Sequence, residues 1–183
     1  MEPWDILASR QAADYVIFKA RLDTLRSPQG AEGEFIILEC PEWVNVVALT
    51  DDGQAIMVRQ WRHGVRAAGL EFPGGMVDPG ESPFAAARRE LLEETGYEAR
   101  EWKELGFVHP NPATQTNRCW TWLATGCRQV AELRLDHTEE LTVELHPEAG
   151  LPELVRRGEI THSLVVTAMY WLAQESSRAL PNK

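Results

Sequence analysis

The sequence predicts an α/β fold, a mixed sheet sandwiched between helices in an α/β/α arrangement and preceded by a small N-terminal β extension. Three observations carry this reading. Two apolar, β-branched segments, 43–50 and 54–61, flank the turn Asp51-Asp52-Gly53. A helix with recognisable signals at both ends occupies 83–95. Further strand-like segments then lead into a terminal helix with an apolar stripe.

Residues 1–40 read as the extension and 41–183 as the main domain. Asp14 to Asp23 carries β-branched and aromatic residues in partial alternation, Ser27 to Gly30 is a turn, and Glu34 to Cys40 is a second strand. Together they predict a β-hairpin or small sheet, either covering the edge of the domain or forming a dimer. Trp43 to Thr50 and Gln54 to Trp61 are the next pair of strands. Gly64 to Leu70 is expected as a loop, with Glu71-Phe72-Pro73 a short strand after it.

The helix follows from its ends. Ser82 suits an N-cap, Pro83 the first helical position and Gly96 a left-handed C-terminal cap. Beyond it, 102–109 and 119–125 read as strands around the polar loop 110–118, and 129–135 is expected to continue the sheet. A strand at 141–145, a short helix at 149–157 and a final helix at 163–176 complete the chain. Leu164, Ala168, Trp171 and Leu172 form the apolar stripe of the last helix, which is core.

Composition excludes several classes. The 183 residues suit one domain, with 44% hydrophobic and 25% charged content. A net charge of −10 argues against a nucleic-acid backbone or an anionic membrane as the main partner. No run approaches the roughly 18 apolar residues of a membrane span, and the first residues lack the basic and apolar regions of a signal peptide. Cys40, Cys119 and Cys127 have no metal-type spacing, which suggests a reduced compartment. A cytoplasmic protein is expected.

The chemistry concentrates between Gly75 and Tyr97. Glu90, Glu93 and Glu94 stand at i, i+3 and i+4 and crowd one helix face. Their repulsion weakens the helix by roughly a few tenths of a kcal/mol per pair. Three such carboxylates are either a solvated face or a set of hard oxygen ligands for Mg²⁺ or Mn²⁺. Arg89 and Glu81 are positioned to pair and hold the preceding loop on the helix. Arg59, Arg62, His63 and Arg66 make a basic cluster, serving either solubility or diphosphate contact.

The spacing decides between these. Gly75, five residues, Glu81, seven residues, Arg89-Glu90-Leu91, one residue, Glu93-Glu94, one residue, Gly96-Tyr97 resembles the Nudix box; Tyr97 alone departs, standing where that family prefers an aliphatic residue. The Glu71-Phe-Pro-Gly-Gly75 segment and Pro112, sixteen residues after Gly96, are similar to the ADP-ribose pyrophosphatases of that family. The loop Asn111 to Arg118 differs from the glycine-rich version of the bacterial enzymes.

The resemblance implies hydrolysis of a nucleoside diphosphate linked to another moiety. The first expectation is ADP-ribose, cleaved to AMP and ribose 5-phosphate. GDP-mannose or another nucleotide sugar is the alternative substrate. It also implies two or three Mg²⁺ ions, with Mn²⁺ as substitute, held by Glu90 and Glu94, by Glu93 either shared or behind the direct ligands, and by the Gly74 carbonyl; Glu71 is a lesser candidate. The general base would come from a later acidic loop, Glu139 first and Glu140 in reserve, or from the helix through Glu93. Arg59, Arg62 and Arg118 are candidate contacts to diphosphate or ribose, and a homodimer is expected. Two other classes stand beside this one. A non-catalytic regulator binding nucleotide sugars has no need of the glutamates, and Pro112 and the extension disfavour a nucleoside triphosphate hydrolase.

Overall fold

The computed structural model describes residues 2–135 and 140–178. The chain forms two compact units, one of residues 1–42 with 108–118, the other of 43–107 with 119–183.

The first unit is a three-stranded antiparallel sheet of β1 (Asp5–Asp14), β2 (Lys19–Arg26) and β3 (Glu32–Glu39), in that order. The extension is therefore a small sheet and not a lone hairpin. Strand β1 escaped sequence reading because nearly all of it is exposed, so no apolar alternation marks it. Asp23 is the buried centre of the sheet. It accepts from Ser9 Oγ at 2.6 Å and from Arg21 Nε at 3.0 Å, and the Ser9 bond outweighs burial to hold its carboxyl below the ordinary range. Residues 108–118, the end of the expected strand 102–109 and the expected loop 110–118, belong to this unit. The Leu38 N–H donates to Thr114 O at 2.7 Å, and the Thr116 N–H donates to Leu38 O at 3.1 Å.

The second unit is a mixed sheet between helices. Strands β4 (Trp43–Thr50), β5 (Gln54–Arg62), β6 (Ala67–Glu71), β7 (Tyr97–Glu98), β8 (Glu101–Val108), β9 (Cys119–Gln129) and β10 (Leu141–Pro147) make seven, in the order β10-β5-β4-β9-β7; β6 pairs with β5 and β8 with β9. The β4–β9 pairing is parallel; β5 runs antiparallel to β4, β6 and β10. Strand β6 corrects the expected loop through Leu70, and β9 ends at Gln129, so 130–135 add no strand.

Helix α1 (Pro83–Thr95) covers one face, packing Ala86, Ala87 and Leu91 on Val44, Val46, Ala48 and Ile56. On the other face α2 (Leu151–Arg156), entered through one 3-10 turn, and α3 (Ser163–Arg178) pack Leu151, Leu154, Val165, Ala168 and Leu172 on Val47, Met57 and Leu70. The α3 stripe is thus Val165, Ala168 and Leu172, one residue round from the predicted Leu164 and Trp171, which are half-buried. No described helix is long and apolar enough to cross a membrane.

Candidate active site

The ends of α1 form as their residues dictate. Ser82 is extended and its Oγ accepts the Ala85 N–H at 3.1 Å. Gly96 takes a φ of 72°, where a side chain is strained, and its N–H closes on Leu92 O at 2.8 Å. With Ala87 and Leu91 committed to the sheet, the register of the helix turns Glu90, Glu93 and Glu94 to one side.

That side borders a cavity of about 360 Å³ lined by Trp43, Gln60, Arg62, Gly74, Gly75, Met76, Asp78, Arg89, Glu90, Glu93, Glu94 and Arg134. Glu94 is 5% exposed, and its Oε2 accepts the Gly74 N–H at 2.9 Å. The strand-like segment 73–75 continues the sheet. Val46 N–H donates to Pro73 O and Val44 N–H to Gly75 O, both at 2.9 Å. An extended chain alternates its carbonyls, so the Gly74 carbonyl is directed away from β4.

Gly74 and Gly75 are glycines for lack of room. A Cβ on Gly74 would strike the Val44 carbonyl oxygen; a Cβ on Gly75 would lie 2.7 Å from Glu90 Cδ. The missing side chain at Gly75 is the space the Glu90 carboxylate occupies.

Arg89 is the centre of charge balance. Its Nε and Nη2 donate to the two Glu81 oxygens at 3.2 and 3.0 Å, and Nη2 also donates to Met76 O at 2.9 Å. This is the predicted clasp of loop on helix. Its Nη1 donates to Glu90 Oε1 at 2.9 Å and Glu93 Oε2 at 3.2 Å. Pairing with Arg89 holds the Glu81 carboxyl below its ordinary range, and the Glu81 bonds raise the Arg89 pKa.

Among the described residues, no three acidic, histidine or cysteine side chains converge closely enough to hold an ion as they stand. Arg89 draws Glu90 and Glu93 onto itself instead. The donor set nonetheless fits a divalent cation. It consists of the hard carboxylate oxygens of Glu90, Glu93 and Glu94, the Glu90 side chain 14% and the Glu93 side chain 43% exposed, beside a carbonyl that the β4 ladder leaves aside.

The arginines separate. Arg62 lines the cavity, as does Gln60 two residues earlier on the same strand face. Arg59 alternates to the other face. It lies opposite Leu70, a residue of the core under α2 and α3, and its Nη2 donates to Glu144 Oε2 at 3.0 Å, with Glu159 at 3.6 Å. Of the two arginines expected at the diphosphate, this strand alternation brings Arg62 to the cavity and leaves Arg59 off its lining. Arg118 belongs to the first unit, where its Nε pairs with Glu42 at 3.0 Å.

Glu71 is 4% exposed and lies between Arg62 and His162. Arg62 Nε and Nη2 donate to its two oxygens at 2.9 and 2.8 Å, and His162 Nδ1 lies 3.3 Å from Oε2. Burial alone would raise its pKa; the Arg62 and His162 contacts overcome this and hold it at about 2.

Glu139 lies outside the described residues; Glu140 is exposed just ahead of β10. Sequence reading missed Trp43, Gln60 and Arg134 in the cavity and His162 on Glu71. Alternation with Arg62 on β5 is a signal that finds Gln60. Nothing local marks Arg134, whose N–H is tied to Glu93 O at 2.8 Å.

Residues 41–165 match the model of the NUDIX domain. The chain belongs to the Nudix family. It is 32% identical over 168 residues to an ADP-ribose pyrophosphatase of Mycobacterium tuberculosis, covering 91% of this chain and 81% of the relative. It is 30% identical over 168 residues to an ADP-ribose pyrophosphatase of Bacillus subtilis, covering 91% and 90%. The crystal structure of an ADP compounds hydrolase shares the fold, with a TM-score of 0.87 over 98% of this chain and 97% of that one at 23% identity. The chain is a Nudix pyrophosphohydrolase similar to ADP-ribose pyrophosphatases.

Proposed function

We propose that this Nudix enzyme hydrolyses the diphosphate bond of a nucleoside diphosphate sugar in a Mg²⁺-dependent reaction, with ADP-ribose as substrate and AMP and ribose 5-phosphate as products. The observation that carries the reading is the meeting of Glu90, Glu93 and Glu94 with Gly74 and Arg62 on one cavity. The names of the two ADP-ribose pyrophosphatase relatives support the choice of substrate.

Glu90, Glu94 and the Gly74 carbonyl would hold two or three Mg²⁺ ions, with Glu93 either shared or standing behind the direct ligands. The chemistry Mg²⁺ would supply there is neutralisation of phosphoryl charge and a more acidic attacking water. Arg62 meets the diphosphate through its planar fork, and Arg134 adds a second guanidinium on the cavity wall. A carboxylate takes the proton of the attacking water: Glu139 as first choice, then Glu140, then Glu93 from α1 itself. The water oxygen bonds to one phosphorus as that phosphorus parts from the bridging oxygen. The bridging oxygen keeps the electron pair, so two phosphomonoesters leave.

The same reading makes the protein a homodimer joined through the first unit, where Ile6, Leu7, Val16, Ile17 and Ile36 are exposed. Light scattering at micromolar concentration checks this, and a monomer removes it. A reducing, cytoplasmic setting suits three cysteines that are all free thiols.

The test of the reaction is a phosphatase-coupled phosphate-release assay over ADP-ribose, GDP-mannose, UDP-glucose, NADH and the nucleoside triphosphates, with and without Mg²⁺. Mg²⁺-dependent release, highest with ADP-ribose, is expected. Preference for GDP-mannose or UDP-glucose would replace the sugar nucleotide and keep the chemistry. A folded protein that turns over none of them would sink the reading.

A further inference from the structure

We propose that Glu71 is a positioning residue for the cavity: it locks the Arg62 guanidinium in one plane at the cavity wall, and His162, at the entrance to α3, braces Glu71 in turn. The proposal rests on the reading of Arg62 as a diphosphate contact.

Arg62 is the last residue of β5 and 37% exposed at its side chain. A long side chain at a strand end loses rotamer freedom when it is ordered. Ordering it only when substrate arrives would weaken binding. The structure orders it beforehand. Two parallel bonds, Nε to Oε1 at 2.9 Å and Nη2 to Oε2 at 2.8 Å, fix both the place and the plane of the fork.

The clamp itself stands on rigid ground. Glu71 closes β6 opposite Val58 on β5, and the next two residues lead into the bond between Pro73 O and Val46 N–H. The same run of chain therefore sets Glu71 and, three residues on, Gly74. His162 reaches Glu71 from another element. Its carbonyl accepts the Val165 and Val166 N–H groups, both at 3.1 Å, so its backbone is part of the first turn of α3. Burying a carboxylate at 4% exposure is costly unless it is paired and hydrogen-bonded; the Arg62 guanidinium supplies the opposite charge and two bonds, and the His162 ring lies 3.3 Å away. A carboxylate so strongly held in its charged form is a weak base, which leaves geometry and not proton transfer as its contribution.

Two readouts test this. The first is the Arg62 Nε–H resonance in the free protein, assigned by its loss in Arg62→Lys. A sharp, slowly exchanging signal is expected, and it should broaden or vanish in Glu71→Gln. The second is kinetics on ADP-ribose. Glu71→Gln should raise KM by about tenfold to a hundredfold, with kcat changed less and the Mg²⁺ concentration for half-activation unchanged. Glu71→Asp, which keeps the charge but falls one methylene short, should behave like Glu71→Gln. Arg62→Lys should show the same KM, and combining it with Glu71→Gln should add nothing.

An unchanged Nε–H signal in Glu71→Gln, additive effects in the double variant, wild-type KM in Glu71→Asp or Arg62→Lys, or a shifted Mg²⁺ requirement would each overturn the proposal. Should Glu71→Gln not fold, Glu71→Asp and Arg62→Lys carry the test. If the wild type turns over no nucleotide sugar, the functional reading fails on its own, and the Nε–H signal decides the clamp without it.

Discussion

The Glu94 carboxylate accepts the Gly74 backbone N–H at 2.9 Å, joining α1 to the end of the segment that continues the sheet from β6. One side chain thus sets the distance between a charged helix face and a backbone carbonyl directed away from β4. A glutamine at 94 keeps an acceptor for the Gly74 N–H and loses the charge. Glu94→Gln should therefore keep a thermal midpoint near wild type while turnover of ADP-ribose falls by about a hundredfold or more. Wild-type turnover in saturating Mg²⁺ would remove the carboxylate-helix mechanism.

Gly74 and Gly75 should respond differently to the same change. At Gly74 an added methyl meets the Val44 carbonyl, which is backbone and part of β4. Gly74→Ala is expected to destabilise the protein by about 1–3 kcal/mol. At Gly75 the methyl meets only the end of the Glu90 side chain, which can swing aside. Gly75→Ala should stay folded and lose activity. Denaturant melts and turnover of the two variants, taken side by side, check the contrast.

Glu71 makes an acid-side prediction with a definite sign. Its pKa falls from an ordinary 4.5 to about 2 in the folded protein. A depressed carboxyl stabilises the fold above the unfolded value, and that stabilisation drains away as pH drops from about 4.5 toward 2. The amount at stake is on the order of 3 kcal/mol. Urea unfolding of wild type and Glu71→Gln between pH 6 and pH 3 should show a gap that narrows below about pH 4.5. A constant gap would mean that another group sets the acid limb.

Arg59 and Arg62 sit three residues apart on β5 and should fail in different assays. Arg59 holds Glu144 and Glu159 on the α2 and α3 side of the sheet, with about a third of its side chain exposed. Arg59→Met should cost about 1 kcal/mol of stability or less and leave the KM for ADP-ribose within about threefold. Arg62→Gln should raise that KM by about tenfold or more. A large KM effect at Arg59 would contradict the alternation of the strand.

Local chemistry made much of the second unit legible. Ser82, Pro83 and Gly96 specify the ends of α1 because a cap depends on the residue and its nearest neighbours alone. Trp43–Thr50 and the strand after the Asp51-Asp52-Gly53 turn are legible for the same reason, and so is the crowding of Glu90, Glu93 and Glu94, which helical spacing compels. The clasp of Arg89 on Glu81 also follows from spacing. Strand β1 was silent because an exposed strand carries no apolar period, and β6 because Ala67-Ala68-Gly69 has little side chain to alternate.

Local chemistry therefore specifies the helices, the β4 and β5 pair and the one helix face that carries charge. Tertiary structure alone decided which distant residues meet that face. The parallel pairing of β4 with β9, the choice of Arg62 over Arg59, the entry of Arg134 into the cavity and the bracing of Glu71 by His162 all depend on how strands are ordered. Periodicity reports which side of an element is apolar; it carries no record of the neighbour that side will face.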